Sequence, residues 1–390
     1  MNKHNSVPNI RFNGFEDEWK GKELNSISKR LDNFRKPITA NKRITGKTPY
    51  YGANGVQDYV KGYTHEGEFV LIAEDGANDV RNYPVRFVKG YIWVNNHAHV
   101  LQAKVDISNN LFLSYSLKNK NLLPYLVGSG RMKLNADVLM NLLLKIPSLK
   151  EQQKIGNFFS RLDKLLDLQQ QKIDKLELLK KTLLQMLFPK YNKKIPDVRF
   201  RGFYDKWEKI TFSEIGTVTT GNTPSTKQTR YYSKMGTPWI TPSNIDKNGK
   251  LYNLKYLSKE GAKIGRIVPA GSVLVTSIAS IGKNTLLKKD SAFNQQINAI
   301  TPKKKYDSYF LYSACNQVSK EMKNTASAGT MQIVNKKAFS RMVIKCPLLS
   351  EQQKIGNLLS KVDQLIELEN KKLQNFQQLK KCLLQNMFVE

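Results

Sequence analysis

The side chains of this sequence that could catalyse a reaction or bind a metal stand in two short stretches. His97 and His99 are two residues apart, so in an extended segment both rings face the same side, and Glu74 is followed directly by Asp75. A metal site needs further ligands, and the histidine pair has no acidic or cysteine residue beside it. A carboxylate pair that acts as acid and base needs partners that converge on it. We therefore expect the histidines to pack or to make a polar contact, the acidic pair to form a turn at a strand end, and no metal site.

Sequence motifs for methyl transfer and for nucleotide binding are missing. An enzyme that methylates an amino group of a base needs Asn-Pro-Pro or Asp-Pro-Pro followed by an aromatic residue, and the sequence contains neither. It also lacks a Gly-x-x-x-x-Gly-Lys-Ser/Thr phosphate loop, and Gly128-Ser129-Gly130 opens no cofactor-binding βαβ unit. The sequence therefore predicts a binding protein and not an enzyme, with no cofactor bound by this chain.

Several polar loops carry the side chains that read DNA bases. Arginine and lysine pair with guanine, and asparagine and glutamine pair with adenine. The stretch 50–55, Tyr-Tyr-Gly-Ala-Asn-Gly, combines such an amide with aromatic residues and a flexible backbone. Ordinary turn chemistry explains any single loop equally well, so only their sum favours DNA. The candidate DNA-binding residues are Arg43, Lys47, Tyr50, Tyr51, Asn54, Asn78, Arg81, His97, Arg131, Asn222, Thr223, Ser225, Thr226, Lys227, Arg230, Tyr231, Ser243, Asn244, Lys283, Gln295 and Gln332.

The charge of the chain favours a polyanionic partner. Lysine and arginine number 63 against 32 aspartates and glutamates, a formal net charge of +31, and the excess is spread over both halves of the sequence. A solvated basic surface is the simplest explanation, but an excess of this size is hard to explain without nucleic acid. No amphipathic terminal segment and no apolar run of about 18 residues accompanies the charge, so we expect no membrane association.

Cysteine usage and the N-terminal residues predict a cytoplasmic protein. The three cysteines, Cys315, Cys346 and Cys382, are scattered and show no paired spacing, which is typical of a reducing compartment. The first six residues lack the apolar core of a signal peptide.

Two copies of one hexapeptide begin the longest elements of the chain. Residues 151–156 and 351–356 both read Glu-Gln-Gln-Lys-Ile-Gly. Each opens a stretch, 150–188 and 350–388, in which apolar residues recur at spacings of three and four, the period of a coiled-coil helix. At about 1.5 Å per residue each helix would reach nearly 60 Å. We expect the two helices to pair as an antiparallel coiled coil.

A second repeat divides the chain into two equivalent parts. Residues 7–19 and 195–207 share the pattern Val/Ile-Pro-Asn/Asp-Ile/Val-Arg-Phe-x-Gly-Phe, followed by Asp and Trp; we call these two stretches the opening motifs. Short β-branched runs, broken by glycine, asparagine and proline, lie between each opening motif and its long helix. The predicted class is therefore α+β, with two tandem mixed α/β domains that are each followed by a long helix. The predicted boundaries are 1–147 and 195–347 for the domains, 148–188 and 348–390 for the helices, and 189–194 for the linker.

Together these motifs resemble the specificity subunit of type I restriction–modification systems. The resemblance rests on the opening motifs that end at Trp19 and Trp207, on the duplicated hexapeptide, and on the stretches 49–55 and 275–282. It implies a subunit without catalytic activity. Each globular half would be a target-recognition domain that reads one part of a split, asymmetric site on double-stranded DNA, and the helices would set the gap between the two parts.

The resemblance also implies partner subunits. Two methyltransferase subunits would bind S-adenosylmethionine and methylate adenine at N6, with the target base flipped out. Two motor-nuclease subunits, which use ATP and magnesium, would cut unmodified DNA. Polar residues at the helix starts are candidate positions for methyltransferase docking, and helix capping through Ser148 and Ser350 explains them equally well. These docking candidates are Glu151, Gln152, Gln153, Glu351, Gln352 and Gln353.

Two other functions remain open from the sequence. A basic architectural protein that acts alone would bind DNA with an affinity that depends steeply on salt and little on sequence. A self-sufficient methyltransferase would bind S-adenosylmethionine itself, and the missing tetrapeptide argues against it.

Overall fold

The computed structural model describes residues 6–190, 193–278, 280–326 and 334–389, without the side chains of 320, 321 and 323–326. The chain divides into two units. The first unit is Met1–Gln171 with Lys371–Glu390, and the second is Lys172–Asn370. Each unit contains one globular region and part of each of the two long helices.

The globular region of the first unit is built on a mixed sheet. Its strands are β1 (Lys20–Glu23), β2 (Ser28–Arg30), β3 (Thr45–Gly52), β4 (Gly55–Val60), β5 (His65–Ala73), β6 (Val85–Val94), β7 (Ala98–Ala103) and β8 (Leu143–Ile146). Within the described part of this unit, the sheet order is β2-β7-β5-β6-β3-β4, and the β3–β6 pair is parallel whereas the other pairs are antiparallel. A separate antiparallel pair joins β1 to β8.

The core of the first unit lies between this sheet and its helices. The helices are α1 (Leu24–Ile27), α2 (Asn110–Asn119), α3 (Ala136–Met140) and α4 (Leu149–Met186), the last of which continues into the second unit. Successive side chains of β5 alternate between two faces. Val70 and Ile72 pack in the cluster that contains Phe112 of α2, whereas Phe69 and Leu71 belong to a cluster on the other face.

The globular region of the second unit has a different sheet arrangement. Its strands are β9 (Glu208–Thr211), β10 (Gly216–Thr220), β11 (Tyr232–Ser233), β12 (Thr237–Ile240), β13 (Lys255–Leu257), β14 (Ile267–Val268), β15 (Val273–Thr276), β16 (Asn284–Leu286), β17 (Ser291–Phe293), β18 (Ile297–Pro302) and β19 (Val343–Cys346). Among the described residues they form sheets of order β10-β18-β15-β16 and β11-β13-β12-β17-β14, and β19 pairs with β9. The helices are α5 (Phe212–Ile215), α6 (Lys259–Ile264), α7 (Ser308–Ala326), α8 (Lys336–Ser340) and α9 (Leu349–Met387).

The two globular regions share the elements next to the opening motif and the long helix, and they differ in the sheets between those elements. In each, a strand near the opening motif pairs with the strand that precedes the long helix, as β1 with β8 and β9 with β19. A short helix, α3 or α8, precedes that last strand. Between these shared elements, the described residues of one region form a mixed six-stranded sheet, and those of the other form two smaller sheets. The predicted α+β class with a long helix after each domain is confirmed.

The long helices pair in antiparallel fashion within each unit. In the first unit, Phe159 of α4 packs with Phe388, which follows α9, and Asp163 is bonded to Lys380. In the second unit, Lys172 is bonded to Glu369 at 2.8 Å, and Glu369 is 2% exposed. The partner numbers fall along α9 as the numbers rise along α4, which confirms the predicted antiparallel pairing.

None of the helices in the described part of the chain combines the length and the apolar character that a membrane span requires.

Candidate nucleic-acid interface

The acidic residue of each hexapeptide is buried and paired with an arginine of the opening motif. Glu151 is 1% exposed and accepts hydrogen bonds from Nε and a terminal nitrogen of Arg11, both at 2.8 Å. Glu351 is bonded to Arg199 in the same two-bond geometry, at 2.7 Å for each bond. The bonds to glutamate raise the pKa of both arginines. Each pair joins an opening motif to the first turn of the long helix in the same unit.

The next residue of each hexapeptide connects the long helix to a helix of the globular region. The side-chain oxygen of Gln152 accepts from the N–H of Asn109 at 3.1 Å, and its amide donates to the carbonyl of Pro147 at 3.0 Å. Gln352 accepts from the N–H of Asp307 at 2.9 Å. Asn109 and Asp307 are also the residues whose side chains cap α2 and α7. The hexapeptide therefore fixes the globular region to its long helix.

This burial corrects the docking prediction at the helix starts. Four of the six proposed docking residues are inside the protein, because their polar groups bind neighbouring parts of the same unit: Glu151, Gln152, Glu351 and Gln352. Gln153 and Gln353 are exposed. The capping prediction at Ser350 is also wrong, because α9 already begins at Leu349.

The last residue of each hexapeptide is a glycine against which a second helix packs. A Cβ added at Gly156 would lie 2.8 Å from Cβ of Leu111 and 2.9 Å from the backbone nitrogen of Phe112. We expect Gly156→Ala to destabilise the protein by about 1–3 kcal/mol, because overpacking outweighs the better helix propensity of alanine. Denaturant unfolding measures this change. Asn157→Ala, at the exposed neighbouring position, is the control, with an expected change within about 0.5 kcal/mol. Equal effects of the two substitutions would contradict this packing argument.

At one end of the sheet in the first unit, several predicted DNA-binding residues lie together. The amide of Asn54, in the β3–β4 turn, donates to the carbonyl of Gly76 at 2.9 Å and to the side-chain oxygen of Asn78 at 3.2 Å. The N–H of Asn78 donates back to Asn54 at 2.9 Å. Arg86 also donates to the carbonyl of Asn54, at 3.2 Å. These bonds hold two loops side by side, so the Asn54 amide shapes the loops in addition to being exposed.

Next to these loops, an aspartate orients an exposed arginine. Arg131 donates to the carboxylate of Asp75 at 2.9 Å, and Nδ1 of His97 lies 2.6 Å from the same oxygen. Burial acts to raise the pKa of Asp75, but the bonds from His97 and Arg131 outweigh it and hold that pKa below its ordinary value. The side chain of Arg131 is 59% exposed. The bond to Asp75 therefore orients the guanidinium while much of the side chain stays accessible to solvent. This arrangement suits a contact with a base or a phosphate.

The sequence predicts a simple strand-end turn for the acidic pair after β5, but the structure shows a network of ion pairs there. Glu74 is bonded to Arg35 at 2.7 Å and to Lys133 at 3.0 Å, while Nδ1 of His99 lies 2.6 Å from Asp32. Oxygens of Asp32 and Glu74 and a nitrogen of His99 lie within 4.8 Å of one another, close enough to share a cation. Arg35 and Lys133 already neutralise these carboxylates, however, so the group forms a salt-bridge network. Its partners come from distant segments that the sequence window could not show.

The prediction of DNA contacts is wrong for two residues, because their side chains are buried. Tyr50 is 1% exposed, and its hydroxyl accepts from the N–H of Ile38 at 2.9 Å, while Arg43 packs over its ring. Asn244 is buried, and its amide donates to the carbonyls of Tyr252 and Asn253, both at 2.9 Å. Both side chains hold turns together and have no surface for a base.

In the second unit, a loop and a turn bring three predicted residues together. Thr223 donates to the side-chain oxygen of Gln295 at 2.6 Å, and both residues are exposed. Asn222 is half-buried and bonded to the backbone of Ile264 and of Arg266. The exposed Arg266, which the sequence reading missed, donates to the carbonyl of Thr220 at 2.8 Å. Arg266 follows a short helix in sequence, and no aromatic or amide residue stands next to it that would have indicated a DNA contact.

The remaining predicted residues that the structure describes are distributed over the surface of their own units. The guanidinium of Arg230 lies 5.2 Å from the ring centre of Tyr231, and Arg43 lies 3.4 Å from the carboxylate of Asp58. Tyr51 and Lys283 are half-buried, and Gln332 lies outside the described residues. The exposed ones are Lys47, Arg81, Ser225, Thr226, Lys227, Arg230 and Ser243.

Comparison with known families decides which class of protein this geometry belongs to. A model described as the type I restriction modification DNA specificity domain matches residues 16–178 and again residues 204–378. Together these two matches cover most of the chain. The chain belongs to this family. It is a type I restriction–modification specificity subunit with two recognition domains, and the resemblance seen in the sequence is confirmed.

Two similar proteins are named as type I restriction enzyme specificity subunits. It is 30% identical over 360 residues to a protein from Haemophilus influenzae named as a type I restriction enzyme specificity subunit, over 90% of this chain and 89% of the relative. It is 32% identical over 197 residues to the MjaIX specificity subunit of Methanocaldococcus jannaschii, which covers 47% of this chain and 44% of that protein.

Solved structures show the same fold. The crystal structure of a type I S subunit from M. genitalium superposes with a TM-score of 0.71 at 16% identity, over 98% of this chain and 99% of that one. A chain from a structure concerned with complex assembly and conformational transition of the type I restriction–modification system superposes with a TM-score of 0.55 at 16% identity, over 95% and 97% of the two chains.

Proposed function

We propose that this specificity subunit reads a split, asymmetric DNA site without catalysing a reaction, and that each recognition domain reads one half. The observation that carries the proposal is a repeated anchor with unlike loops. Both domains are fixed to their helices by the same pairs, Arg11–Glu151 and Arg199–Glu351. The exposed polar clusters differ, however: Asp75 and Arg131 in one domain, and Thr223 and Gln295 in the other. Two domains that are anchored in the same way but carry different polar side chains at the surface can read two different half-sites.

Electrostatics supports DNA as the ligand of both domains. The net charge of +31 supplies the sequence-independent part of the affinity through phosphate contacts. Exposed arginine, asparagine and glutamine side chains supply the part that depends on sequence, through base edges in the major groove. The long helices set the length of the gap between the half-sites.

The methyltransferase subunits dock on an apolar stripe of the helices. Leu165 and Leu168 of α4 are exposed, and so are their counterparts Leu365 and Leu368 of α9. Such a repeated apolar stripe on exposed helix faces is typical of a surface for other chains. This position replaces the buried hexapeptide residues as the docking surface, and its duplication matches two methyltransferase subunits.

The chemistry belongs to those partners. Two methyltransferase subunits bind S-adenosylmethionine and methylate adenine at N6, and two motor-nuclease subunits use ATP and magnesium to cut unmodified DNA. The specificity subunit itself binds none of these cofactors. The cytoplasmic location stays a prediction.

A methyl-transfer assay tests the division of labour. Purified specificity subunit, its methyltransferase subunits, and the mixture are each incubated with DNA and radiolabelled S-adenosylmethionine. We expect label in DNA only with the mixture. Transfer by the purified specificity subunit alone would overturn the proposal. Transfer by the methyltransferase subunits alone, at the same sites as the mixture, would also contradict it.

A single arginine of the first domain should govern one base pair. We expect Arg131→Ala to reduce discrimination at one position of one half-site by about 1–3 kcal/mol, because a two-bond contact to guanine is lost. Sequencing of methylated adenines measures this change. Lys47→Ala, at an exposed residue of the same domain, should instead weaken methylation of all sequences equally. Relaxation in the other half-site would contradict the assignment of one domain to one half.

A further inference from the structure

In the first unit, one carboxylate joins three elements. The hydroxyl of Tyr115, on α2, donates to one oxygen of Asp163 on α4 at 2.6 Å. The ammonium of Lys380, on α9, donates to the other oxygen. Asp163 therefore links the recognition domain to both long helices. We call these residues the first triad.

The second unit has a triad of the same chemistry. The hydroxyl of Tyr309, on α7, donates to one oxygen of Asp363 on α9. The ammonium of Lys180, on α4, lies 2.7 Å from the other oxygen. The two aspartates and the two lysines are each separated by 200 residues, the same offset as the two hexapeptides. The roles of α4 and α9 are thus exchanged between the triads.

The two tyrosines do not come from equivalent positions. Phe112 of α2 and Phe310 of α7 are equivalent, because each donates its N–H to the side chain that caps its helix, three residues earlier. Tyr115 follows Phe112 by three residues, whereas Tyr309 precedes Phe310 by one. The tyrosines therefore differ by four positions, one helical turn, and lie on the same face. The same Tyr–Asp contact is therefore made from two different positions on the two helices.

The phenols are suited to act as donors. Burial raises the pKa of Tyr115 and of Tyr309, and the bonded aspartate raises it further. Both hydroxyls therefore keep their protons and donate to a charged carboxylate, which makes a shorter and stronger bond than a neutral pair. The Lys partner balances the charge of each carboxylate.

The position of α2 is coupled to the base-reading loops of its domain. The helix packs on β5 and β6. Asp75, which orients Arg131, follows β5 by two residues, and His97 precedes β7. A shift of α2 on the long helices would therefore move this whole reading surface with it.

We propose that Asp163 and Asp363 are positioning residues that fix the register in which the two half-sites are read. This inference rests on the proposed function. Neighbouring base pairs are about 3.4 Å apart along the duplex, and each step turns the groove by roughly 35°. A recognition domain that can shift on its helices by this amount accepts a gap that is one base pair too long or too short. The anchors at Glu151 and Glu351 hold the first turn of each long helix to its domain. The triads, 12 residues further along, add a second attachment that prevents the domain from pivoting about the first.

The test uses the complete complex in cells and maps methylated adenines. Tyr115→Phe and Asp163→Asn are compared with the unchanged chain. We expect the same two half-sites in the variants, with methylation now also at gaps one base pair longer or shorter. The preference for the native gap should fall at least tenfold. Asp167→Asn, which removes an exposed carboxylate of the same helix, is the control and should keep the native gap.

Other outcomes separate the two proposals. Methylation that stays at the native gap in Tyr115→Phe, or that falls by the same factor at every gap, would overturn the positioning role, because a purely structural contact predicts those results. If Asp163→Asn fails to fold, Tyr115→Phe, which lacks a single hydroxyl, decides the question. If the unchanged chain directs no split motif at all, the proposed function itself fails.

Discussion

Replacing Arg199 with methionine should destabilise the specificity subunit by about 3–5 kcal/mol, because it leaves a buried carboxylate without its partner. Glu351 is 1% exposed and receives two hydrogen bonds from Arg199. The loss is a large part of the stability of a typical domain, about 5–15 kcal/mol. Denaturant unfolding, followed by circular dichroism, measures it.

Two variants show whether the pair is responsible. Arg201→Met changes an exposed arginine of the same opening motif and should alter stability by less than about 0.5 kcal/mol. The double change Arg199→Met with Glu351→Met removes both charges and should regain most of the lost stability, since apolar replacements of buried ion pairs are often neutral. An Arg199→Met protein as stable as Arg201→Met would show that the anchor does not hold the domain.

Lengthening both long helices should change the gap in the recognised DNA and nothing else. Four residues inserted into 168–172 of α4 and four into 368–372 of α9 add about 6 Å to each helix, roughly two base pairs of duplex. The anchors at Glu151 and Glu351 and the reading loops lie outside the insertions. We therefore expect complete loss of methylation at the native gap and methylation at a longer gap between unchanged half-sites. Methylated-adenine sequencing reads both quantities.

The control for this experiment keeps the helix length. Gln171→Ala alters an exposed residue at the same place and should leave the gap as it was. A change in the half-sites after insertion would contradict the role of the helices as a spacer. An unchanged gap would contradict it equally.

The long helices could be predicted from the sequence because their signal is local. Apolar residues at spacings of three and four predicted helices over 150–188 and 350–388, and the helices are Leu149–Met186 and Leu349–Met387. Two matching apolar seams predicted that the helices pair, and the contacts of the structure show that the pairing is antiparallel. The buried Glu369, paired with Lys172, lies in the polar layer of that seam.

The role of the hexapeptide could not be predicted, because it depends on contacts far away in sequence. Glu151 and Gln152 are polar residues at a helix start, so exposure was the natural expectation. Arg11, however, lies 140 residues before Glu151 and fills both of its oxygens. The Glu74 network has the same origin, since Arg35 and Lys133 come from separate segments.

The base-reading residues were partly predictable from residue type. The side-chain chemistry of Asn54, His97 and Arg131 predicts contacts with DNA, and the three residues lie at one end of the same sheet. Tyr50 belongs to the same loop motif but is buried. Side chains of a strand alternate between its two faces, and residue type alone does not show which face a residue takes. Residue type selects candidates, whereas burial decides which of them can face DNA.

The most direct test of the central claim is the methylated motif. Adenine methylation is mapped across the genome of cells that contain the methyltransferase subunits, with and without this specificity subunit. Two unlike half-sites separated by one constant gap, methylated only when the specificity subunit is present, is the expected result. A continuous motif, a variable gap, or a map that is the same without the specificity subunit would contradict the claim.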